Sequence, residues 1–389
     1  MAGVTSTAAP SSGTAAGTVA PRQRAGSPAR PVRLLSGAVG MVVTAWLTGN
    51  AFLAFAYFPH WFLNSAILIG LLGLVVGIGG SILFFYFLNL CIEGLPSRFS
   101  EGVIPYAFLL PGFALIALLL LYPAVQTVVY SFANADSTAW VGLDNYRAIF
   151  ADPGFWSALL NNLLWILIVP LVTVSFGLLV AVLADKLSPA GEKATKSLVF
   201  LPMAISFVGA ATIWGLVYAY SAPGSAQTGL LNAVITSLGG EPVNWYLLDT
   251  ARLNSLFLMV ILIWLQTGFA MVLLSSAIKG VPEDTIEAGR MDGASEARIF
   301  WRIIFPQVRP TLLAVFITVL ILVLKVFDVI YVTTNGAYST DVIANLFFRK
   351  LFVESQAGQA SAVVVVLLVL VLPILWYQVR SFRQQEANR

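Results

Sequence analysis

The chain has 389 residues, of which 59% are hydrophobic and 10% are charged, and its formal net charge is +3. Soluble globular proteins are about 25% charged, so a soluble enzyme of this composition would expose more apolar surface than water tolerates. The single cysteine excludes an internal disulfide, and the single histidine excludes a multi-histidine metal site. The small charge, with no basic face, gives no indication of nucleic-acid binding. The composition therefore predicts a polytopic membrane protein.

Eight apolar runs are long enough to cross a bilayer, since a spanning helix needs roughly 20 mostly apolar residues. These runs are 36–58, 64–90, 104–130, 158–184, 197–219, 256–278, 310–332 and 362–380. They lack the alternation of a membrane β-barrel, so each is predicted to be a helix. The predicted fold class is an all-α membrane protein with about eight transmembrane helices.

The lysines and arginines predict the orientation of these spans. If both termini are cytosolic, 16 of the 21 basic residues lie in cytosolic segments, four lie in outer segments, and Lys325 lies within a span. Cytosolic loops of membrane proteins carry an excess of Lys and Arg. We therefore expect both termini in the cytosol.

Composition also predicts three regions along the chain. Residues 1–35 are rich in Ala, Ser, Thr, Gly and Pro, which predicts a disordered cytosolic tail, with a docking arm as the alternative. Residues 36–102 hold the first two spans, an accessory hairpin that ends in the polar linker EGLPSRFSEG. Residues 103–389 hold the other six spans.

The cytosolic loop 279–310 is the longest charged stretch between spans. Pro282 suits the first turn of a helix, and the acidic Glu283 follows at the positive end of the helix dipole. Gly293 permits a left-handed exit from this helix, and a second helix continues until Pro306 interrupts it near the membrane. The sequence therefore predicts two short helices on the cytosolic surface.

The spacing within this loop resembles the Glu-Ala-Ala loop of ABC importer permeases. The family pattern is Glu-Ala-Ala, three residues, Gly, nine residues, Ile, one residue and Leu-Pro. This chain fills it with Glu287, Ala288, Gly289, Gly293, Ile303, Phe305 and Pro306. The two departures are mild, because a glycine replaces the second alanine and a phenylalanine replaces the leucine.

The resemblance covers most of the chain, from Val103 to the C-terminus. The run Asp292-Gly293-Ala294-Ser295 is similar to that of the carbohydrate-uptake class. Further segments that resemble sugar permeases are 106–132, 142–162, 200–214 and 327–336. The usual Gly-Gly-Pro is replaced by Gly336-Ala337-Tyr338, which looks more like the α-glucoside branch.

The resemblance implies a non-enzymatic permease subunit of a carbohydrate ABC importer, in a bacterial or archaeal plasma membrane. It would form half of the path for α-glucosides such as maltose or trehalose. The implied partners are a second permease, two ATP-binding subunits, an extracellular solute-binding protein, the sugar and the lipid bilayer. The chain itself would hold no cofactor, because ATP and Mg²⁺ would bind to the ATPase subunits.

The resemblance also implies a coupling surface that sits against one ATPase. The residues it assigns to this surface are Glu283, Glu287, Ala288, Gly289, Asp292, Gly293, Ala294 and Pro306. A simpler interpretation of Glu287 is a solvated charge on an exposed helix.

The sugar path is expected to combine aromatic faces with polar groups. The candidates are Trp214, Tyr218, Trp264, Gln266, Thr267, Asp328, Tyr331 and Asn335. Trp264 and Gln266 are two residues apart, so they do not share one helical face. An interfacial aromatic belt is the alternative for Tyr218 and Tyr331.

Lys325 and Asp328 are the intramembrane charges of this pattern. Three residues apart on one helix, they would share a face and form a structural ion pair. The alternative for Asp328 is sugar binding or gating, since charges within spans usually face a wet cavity.

Three other functions remain open from the sequence. An ion-coupled secondary transporter would need intramembrane relays, for which only Lys325 and Asp328 are present. A membrane scaffold would need no transport path. The same ABC machine carrying a polyol, glycerol phosphate or another sugar is the third.

Overall fold

A computed structural model describes residues 30–387 of the chain. The described residues form helices and connecting turns, with one isolated antiparallel bridge between Ala133 and Trp140. The predicted all-α fold class is confirmed. Most of the predicted tail, residues 1–29, lies outside the described residues, whereas residues 31–35 belong to the first helix.

The backbone divides into two compact units, Met1–Tyr122 and Pro123–Arg389. The division falls inside the third apolar run, and the module boundary expected at residue 102 stays a prediction. The first unit contains α1 (Pro31–Tyr57), α2 (Ala66–Glu93) and α3 (Ser97–Ile116). A π-helical turn, Ala117–Leu121, continues α3 into α4 (Tyr122–Tyr130).

Helices α1 and α2 form an antiparallel hairpin. An ion pair joins the start of α1 to the end of α2, opposite the turn that connects them. Arg33 Nη1 lies 3.0 Å from Glu93 Oε2, and the Arg30 amide donates to the Gly94 carbonyl at 2.9 Å. Gly37 has no side chain where α1 meets α2, and a Cβ there would lie 2.6 Å from the Cys91 Cα. Small residues at helix interfaces allow the close packing that holds membrane helices together.

The second unit contains the remaining helices. They are α5 (Asp144–Ala151), α6 (Pro153–Ala184), α7 (Pro189–Phe200), α8 (Phe207–Val217), α9 (Leu230–Ser237), α10 (Leu253–Lys279), α11 (Glu283–Met291), α12 (Glu296–Ile299), α13 (Phe305–Leu324), α14 (Asp328–Thr333), α15 (Ile343–Phe348) and α16 (Ala357–Ala387).

The core of this unit lies where α10 packs along α6, with α13 against both. Trp165 of α6 is fully buried among Leu258 and Leu262 of α10. Further along, Gly177 of α6 lies so close to α10 that an added Cβ would be 2.9 Å from the Met271 amide nitrogen. Burial of these apolar side chains fixes the frame on which the loops and half-helices are mounted.

Within residues 30–387, six helices are long and apolar enough to span a membrane, or seven if the bent pair α7 and α8 counts as one span. The predicted run 362–380 falls within α16, whose apolar part is the shorter segment Ala357–Pro373.

The predicted continuous span 197–219 is wrong, because α7 and α8 meet at an angle of 103°. Pro202 lies in the intervening turn and has no amide to donate. Ser206 then caps α8, its Oγ accepting from the Gly209 amide at 3.1 Å. The turn and the cap together redirect the chain between α7 and α8.

The predicted span 310–332 is also wrong at its outer end. Helix α13 ends at Leu324, and Phe327 has φ −143° and ψ −58° before α14 begins. Hydropathy marks this position only through the charged Lys325 and Asp328, because the residues before and after them are apolar. The break directs the polar ends of Lys325 and Asp328 into a cavity, as described below.

Replacement of Gly37 by valine is expected to separate α1 from α2 locally, because overpacking a close helix contact costs about 1–3 kcal/mol. Cys91 is the single cysteine, so its rate of maleimide labelling reports the separation directly. We expect faster labelling in Gly37→Val. Gly49→Val is the matched control, because a Cβ at Gly49 meets nothing within 4 Å. Equal labelling in the two variants would contradict the packing role of Gly37.

Candidate coupling surface and transport path

The loop 279–310 contains α11 and α12, the two short helices that the sequence predicts. Helix α11 ends at a left-handed residue, Gly293, with φ +74°. The Ala294 amide donates back to the Gly289 carbonyl at 3.0 Å, and the Gly293 amide donates to Arg290 at 3.0 Å. This pair of bonds is the C-terminal closure that favours glycine at the left-handed position.

The expected interruption at Pro306 is wrong. Helices α12 and α13 run on from one another through a π-helical turn, Phe300–Ile304, and Pro306 lies in the first turn of α13. Proline is tolerated there because the wider turn and the helix start leave its missing amide without a required partner.

One face of α11 is anchored and the other is free. Ile286 packs against the apolar cluster of α6, α10 and α13. Gly289 has no side chain where it meets Ile303, and a Cβ there would lie 2.8 Å from the Ile303 Cδ1. Met291 is 88% exposed, and Glu287 is exposed as well. The helix is therefore held firmly yet offers a free surface.

The free surface carries mainly acidic groups. Its exposed residues include the acidic Glu283, Asp284, Glu287 and Asp292, together with Thr285, Ala288, Arg290 and Met291. Arg290 Nε lies 2.9 Å from Glu296 Oε1, which joins α11 to α12. Hydrogen bonding to the Glu296 carboxylate raises the pKa of Arg290 above its usual range, so this cross-link stays charged.

A cavity of about 850 Å³ lies behind α11 at the same end of the unit. Its charged lining residues are Asp185, Lys186, Lys279, Glu283, Arg290 and Glu296. Its lining combines positive and negative groups, and Phe300 and Trp301 supply aromatic walls.

The predicted path residues fall into separate groups. Tyr218 is 2% exposed, and its hydroxyl donates to the Phe257 carbonyl at 2.9 Å, so it belongs to the packed core of the single chain. Trp214 packs edge-to-face on Trp264, with ring centroids 5.9 Å apart. Trp264 and Thr267 line a cavity of about 330 Å³ with residues of α6 and α7.

Gln266 faces a different cavity, of about 460 Å³. Its lining includes Ser206 and Phe207 at the start of α8, and Phe269 of α10. Thr318 of α13 adds a hydroxyl-bearing residue to the wall. The broken span thus brings polar backbone and side-chain groups to a wall that a continuous apolar helix would leave apolar.

Lys325 and Asp328 line a third cavity, of about 300 Å³. The expectation that they share one helical face is wrong, because Lys325 follows the end of α13 and Asp328 starts α14. Within residues 30–387, the two side chains form no ion pair with each other. This cavity shares Phe207 and Leu322 with the Gln266 cavity, so the two adjoin.

Tyr331 lies within α14, and Asn335 follows the end of that helix. Tyr331 is 42% exposed and stacks on Phe327 with ring centroids 5.0 Å apart. Asn335 has φ +48°, and its amide donates to Ile330 at 2.8 Å, so it ends α14.

Sequence analysis missed a buried polar clamp beyond α14. Asn161 Nδ2 donates to the carbonyls of Ser339 and Asp341, both at 2.7 Å. Arg252 Nη1 donates to Asn161 Oδ1 at 2.7 Å, and Asn162 Oδ1 accepts from the Ile343 amide at 2.7 Å. The signal was the pair of asparagines in an apolar run, but their partners are nearly two hundred residues away in the chain.

Asp341 sits inside this clamp. Burial raises the pKa of its carboxyl above the ordinary value, while the Asn345 hydrogen bond and the Arg349 charge act in the opposite direction. Arg349 Nη2 lies 3.3 Å from Asp341 Oδ2. The clamp holds the segment 339–343, which follows α14, to α6 and to Arg252 at the start of α10.

Comparison of this chain with known proteins agrees with the family resemblance that the loop pattern gives. The model of the family described as binding-protein-dependent transport system inner membrane component matches residues 173–384. The osmoprotective compounds uptake permease protein GgtC of Synechocystis sp. is 47% identical over 282 residues, covering 72% of this chain and 100% of that protein. The alpha-glucoside transport system permease protein AglF of Rhizobium meliloti is 44% identical over 292 residues, covering 75% and 86%.

The fold has a solved counterpart. The crystal structure of a bacterial ABC transporter involved in the import of the acidic polysaccharide alginate contains a chain with a TM-score of 0.62 and 24% identity. The match covers 74% of this chain and 99% of that chain. At this identity the likeness supports the fold alone.

These matches confirm the resemblance first carried by the Glu-Ala-Ala pattern. They make the chain a multi-pass integral protein of the inner membrane, and a translocation component rather than an enzyme. The chain belongs to the family of inner membrane components of binding-protein-dependent transport systems, the permeases of ABC importers.

Proposed function

We propose that this chain is one permease half of an ATP-driven carbohydrate importer whose cargo is an α-glucoside such as maltose or trehalose. The observation that carries the proposal is α11, a short helix anchored on the transport helices by Ile286 while Glu287 stands free. Two ATP-binding subunits, which hold ATP and Mg²⁺, a second permease and an extracellular solute-binding protein complete the importer.

In this assembly α11 is the coupling helix. Glu283, Glu287 and Asp292 offer carboxylates to basic groups of an ATPase, where ion pairs give orientation and specificity. The small side chain of Ala288 and the absence of one at Gly289 make the helix narrow at these positions. Gly293 and Ala294 form its C-terminal turn. Pro306 starts the transmembrane helix to which the motion passes.

Orientation follows from the same proposal. The loop that meets the ATPases is cytosolic, and 16 of the 21 basic residues then lie on the cytosolic side together with both termini. Residues 103–389 would form the six-helix transport core and residues 36–102 the accessory hairpin.

The Gln266 cavity is the proposed cargo site. Its volume of about 460 Å³ lies within the range of small-molecule pockets, roughly 300–1,000 Å³. The Gln266 amide offers two donors and an acceptor, which suit sugar hydroxyls. Phe207 and Phe269 supply apolar rings, and no charged residue lines this cavity. An uncharged, partly aromatic wall suits a neutral carbohydrate.

Lys325 and Asp328 would line the adjoining part of the path. Charged side chains within membrane segments usually face a water-filled cavity or a protein interior. Their cavity continues from the Gln266 cavity past Phe207. In the proposal they hydrogen-bond cargo, with Tyr331 and Asn335 beyond them. In the proposal, Trp214, Trp264 and Thr267 lie outside the Gln266 cavity and stabilise α10, which forms part of its wall.

The α-glucoside cargo is supported by AglF, and by the trehalose/maltose transport system permease protein MalF of Thermococcus litoralis. MalF is 29% identical over 297 residues, covering 74% of this chain and 97% of that protein. A second candidate cargo is an osmoprotective compound, which the 47% identity to GgtC over its whole length favours.

The assembly is tested by purifying the chain in mild detergent and identifying co-purifying proteins by mass spectrometry. We expect a second permease and an ATP-binding subunit, and we expect Glu287→Lys to lose the ATPase because it reverses an exposed charge of the coupling surface. Glu241→Lys is the control, an equally exposed glutamate in the predicted outer loop 220–255. A pure chain without ATPase would favour an ion-driven carrier or a scaffold.

Gly293→Val is expected to weaken ATPase binding and lower uptake at least about tenfold. A β-branched residue at φ +74° costs roughly 1–2 kcal/mol and shifts the end of α11. Gly293→Asn is the control, since asparagine adopts the left-handed conformation. Within this chain a Cβ at Gly293 meets nothing within 4 Å, so a side chain there causes no clash inside the subunit. Full uptake by the valine variant would show that the turn geometry is unimportant.

Gln266→Leu is expected to raise the concentration of labelled α-glucoside for half-maximal uptake about tenfold. Loss of a buried hydrogen-bond partner costs about 1–3 kcal/mol, and 1.4 kcal/mol is a factor of ten. Thr267→Val is the control on the opposite side of α10, expected to stay within about twofold. Competition by maltose, trehalose and osmoprotective glycosides in the same assay identifies the cargo. Unchanged affinity in Gln266→Leu would remove this cavity from the path.

A further inference from the structure

We propose that the ion pair between Glu192 and Lys279 is the mechanical link through which movement of α11 reaches the wall of the Gln266 cavity. The inference rests on the proposed function in one respect, since it takes α11 as the contact with an ATPase. It assigns to α7 a role that the family pattern in the loop does not contain.

The cytosolic end of the link is a group of four charges. Lys279 is the last residue of α10, and its Nζ lies 2.5 Å from Glu192 Oε1 and 4.0 Å from Asp185 Oδ1. Glu192 also pairs with Lys196 one turn further along α7. The Glu192 side chain is only 17% exposed, so it is held between the two lysines. The segment that follows Lys279 is the start of α11.

The other end of α7 reaches the cargo cavity. Twelve residues at 1.5 Å each make α7 about 18 Å long. It leads directly into the turn Leu201–Ala204, and Met203, Ile205 and Ser206 line the Gln266 cavity. One short rigid helix therefore connects the start of the coupling loop with a wall of the cavity.

A second contact joins α7 to α10 near the cavity. A Cβ on Gly268 would lie 2.7 Å from the Phe200 Cα and would also contact the Val199 carbonyl oxygen. Helices α7 and α10 are thus joined at two places, by backbone contact at Gly268 and by charge at Lys279. With both contacts intact, the two helices move as one body. Without the ion pair, α10 can rotate about its contact at Gly268 while α7 stays in place.

The link is suited to transmission rather than to holding the fold together. Lys279 is half exposed, and ion pairs of this kind contribute little to folding stability. Removal of the pair is therefore expected to leave the amount of assembled importer unchanged. Coupling energies between sites typically correspond to about 5- to 150-fold changes in the linked equilibrium. That range is large enough to measure as a loss of response to ATP.

The experiment uses the complete importer in membrane vesicles and a cysteine reporter on the cavity wall. The native cysteine is removed by Cys91→Ser, and Met203→Cys places a thiol in the lining of the cavity. The rate of labelling by a water-soluble maleimide is measured with and without ATP plus vanadate. In this parent we expect ATP to change the rate, because the cavity wall moves when α11 moves.

Lys279→Gln and Glu192→Gln are expected to reduce the ATP-dependent change at least about fivefold, while the rate without nucleotide stays the same. Lys279→Arg, which keeps the charge, is expected to restore most of the response. Lys186→Gln is the matched control, since Lys186 lines the same cytosolic cavity and forms no ion pair within the described part of the chain. ATPase activity stimulated by the binding protein gives a second readout, and more ATP hydrolysed per sugar marks the uncoupled variants.

The outcomes separate this inference from the proposed function. A parent that responds to ATP, together with a Lys279→Gln variant that responds equally, overturns the ion-pair link and leaves the importer assignment intact. A parent complex that binds ATP but shows no change at Met203→Cys overturns the link directly. Absence of any ATPase in the complex overturns the proposed function as well. A response lost in both Gln variants and retained in Lys186→Gln supports the link.

Discussion

Helix α10 packs along α6, and this contact positions both the Gln266 cavity and the start of the loop 279–310. The buried face of α10, with Leu258, Leu262 and Leu274, joins two apolar clusters of the core. The same helix carries Gln266 into the lining of its cavity and ends at Lys279, where the loop begins. Because close packing makes this helix stiff, a displacement at its cytosolic end is felt along its length.

Breaks in the spans place polar groups where a continuous helix would place apolar ones. The chain turns at Pro202 to Ser206, and again at Lys325 to Phe327, and both breaks open onto adjoining cavities. Irregular backbone at membrane depth is tolerated where it is buried in protein or lines a cavity. The two breaks are therefore consistent with a transport path. Asn161 and Arg252 both donate to the Ser339 carbonyl in the segment that follows α14.

Much of the fold and of the coupling surface could be predicted from residue order. The apolar runs identify the spans by length, and Pro282, Gly289 and Gly293 mark a short helix with a left-handed end, which the structure contains. The path was less predictable. Tyr218 is packed in the core, although an aromatic ring with a hydroxyl group suits a sugar contact. Lys325 and Asp328 line a cavity instead of sharing a helical face. Burial and chain breaks depend on neighbours that are remote in sequence.

By itself, the sequence determined that this protein is an all-helical membrane permease with a charged loop, 279–310, between two of its spans. Those features depend on local composition, on spacing within one turn, and on the cost of apolar surface in water. Only the tertiary structure decided which side of α10 faces the Gln266 cavity, where two spans break, and that Glu192 meets Lys279. Each of these depends on contacts between segments far apart in the chain, and hydropathy contains no information about them.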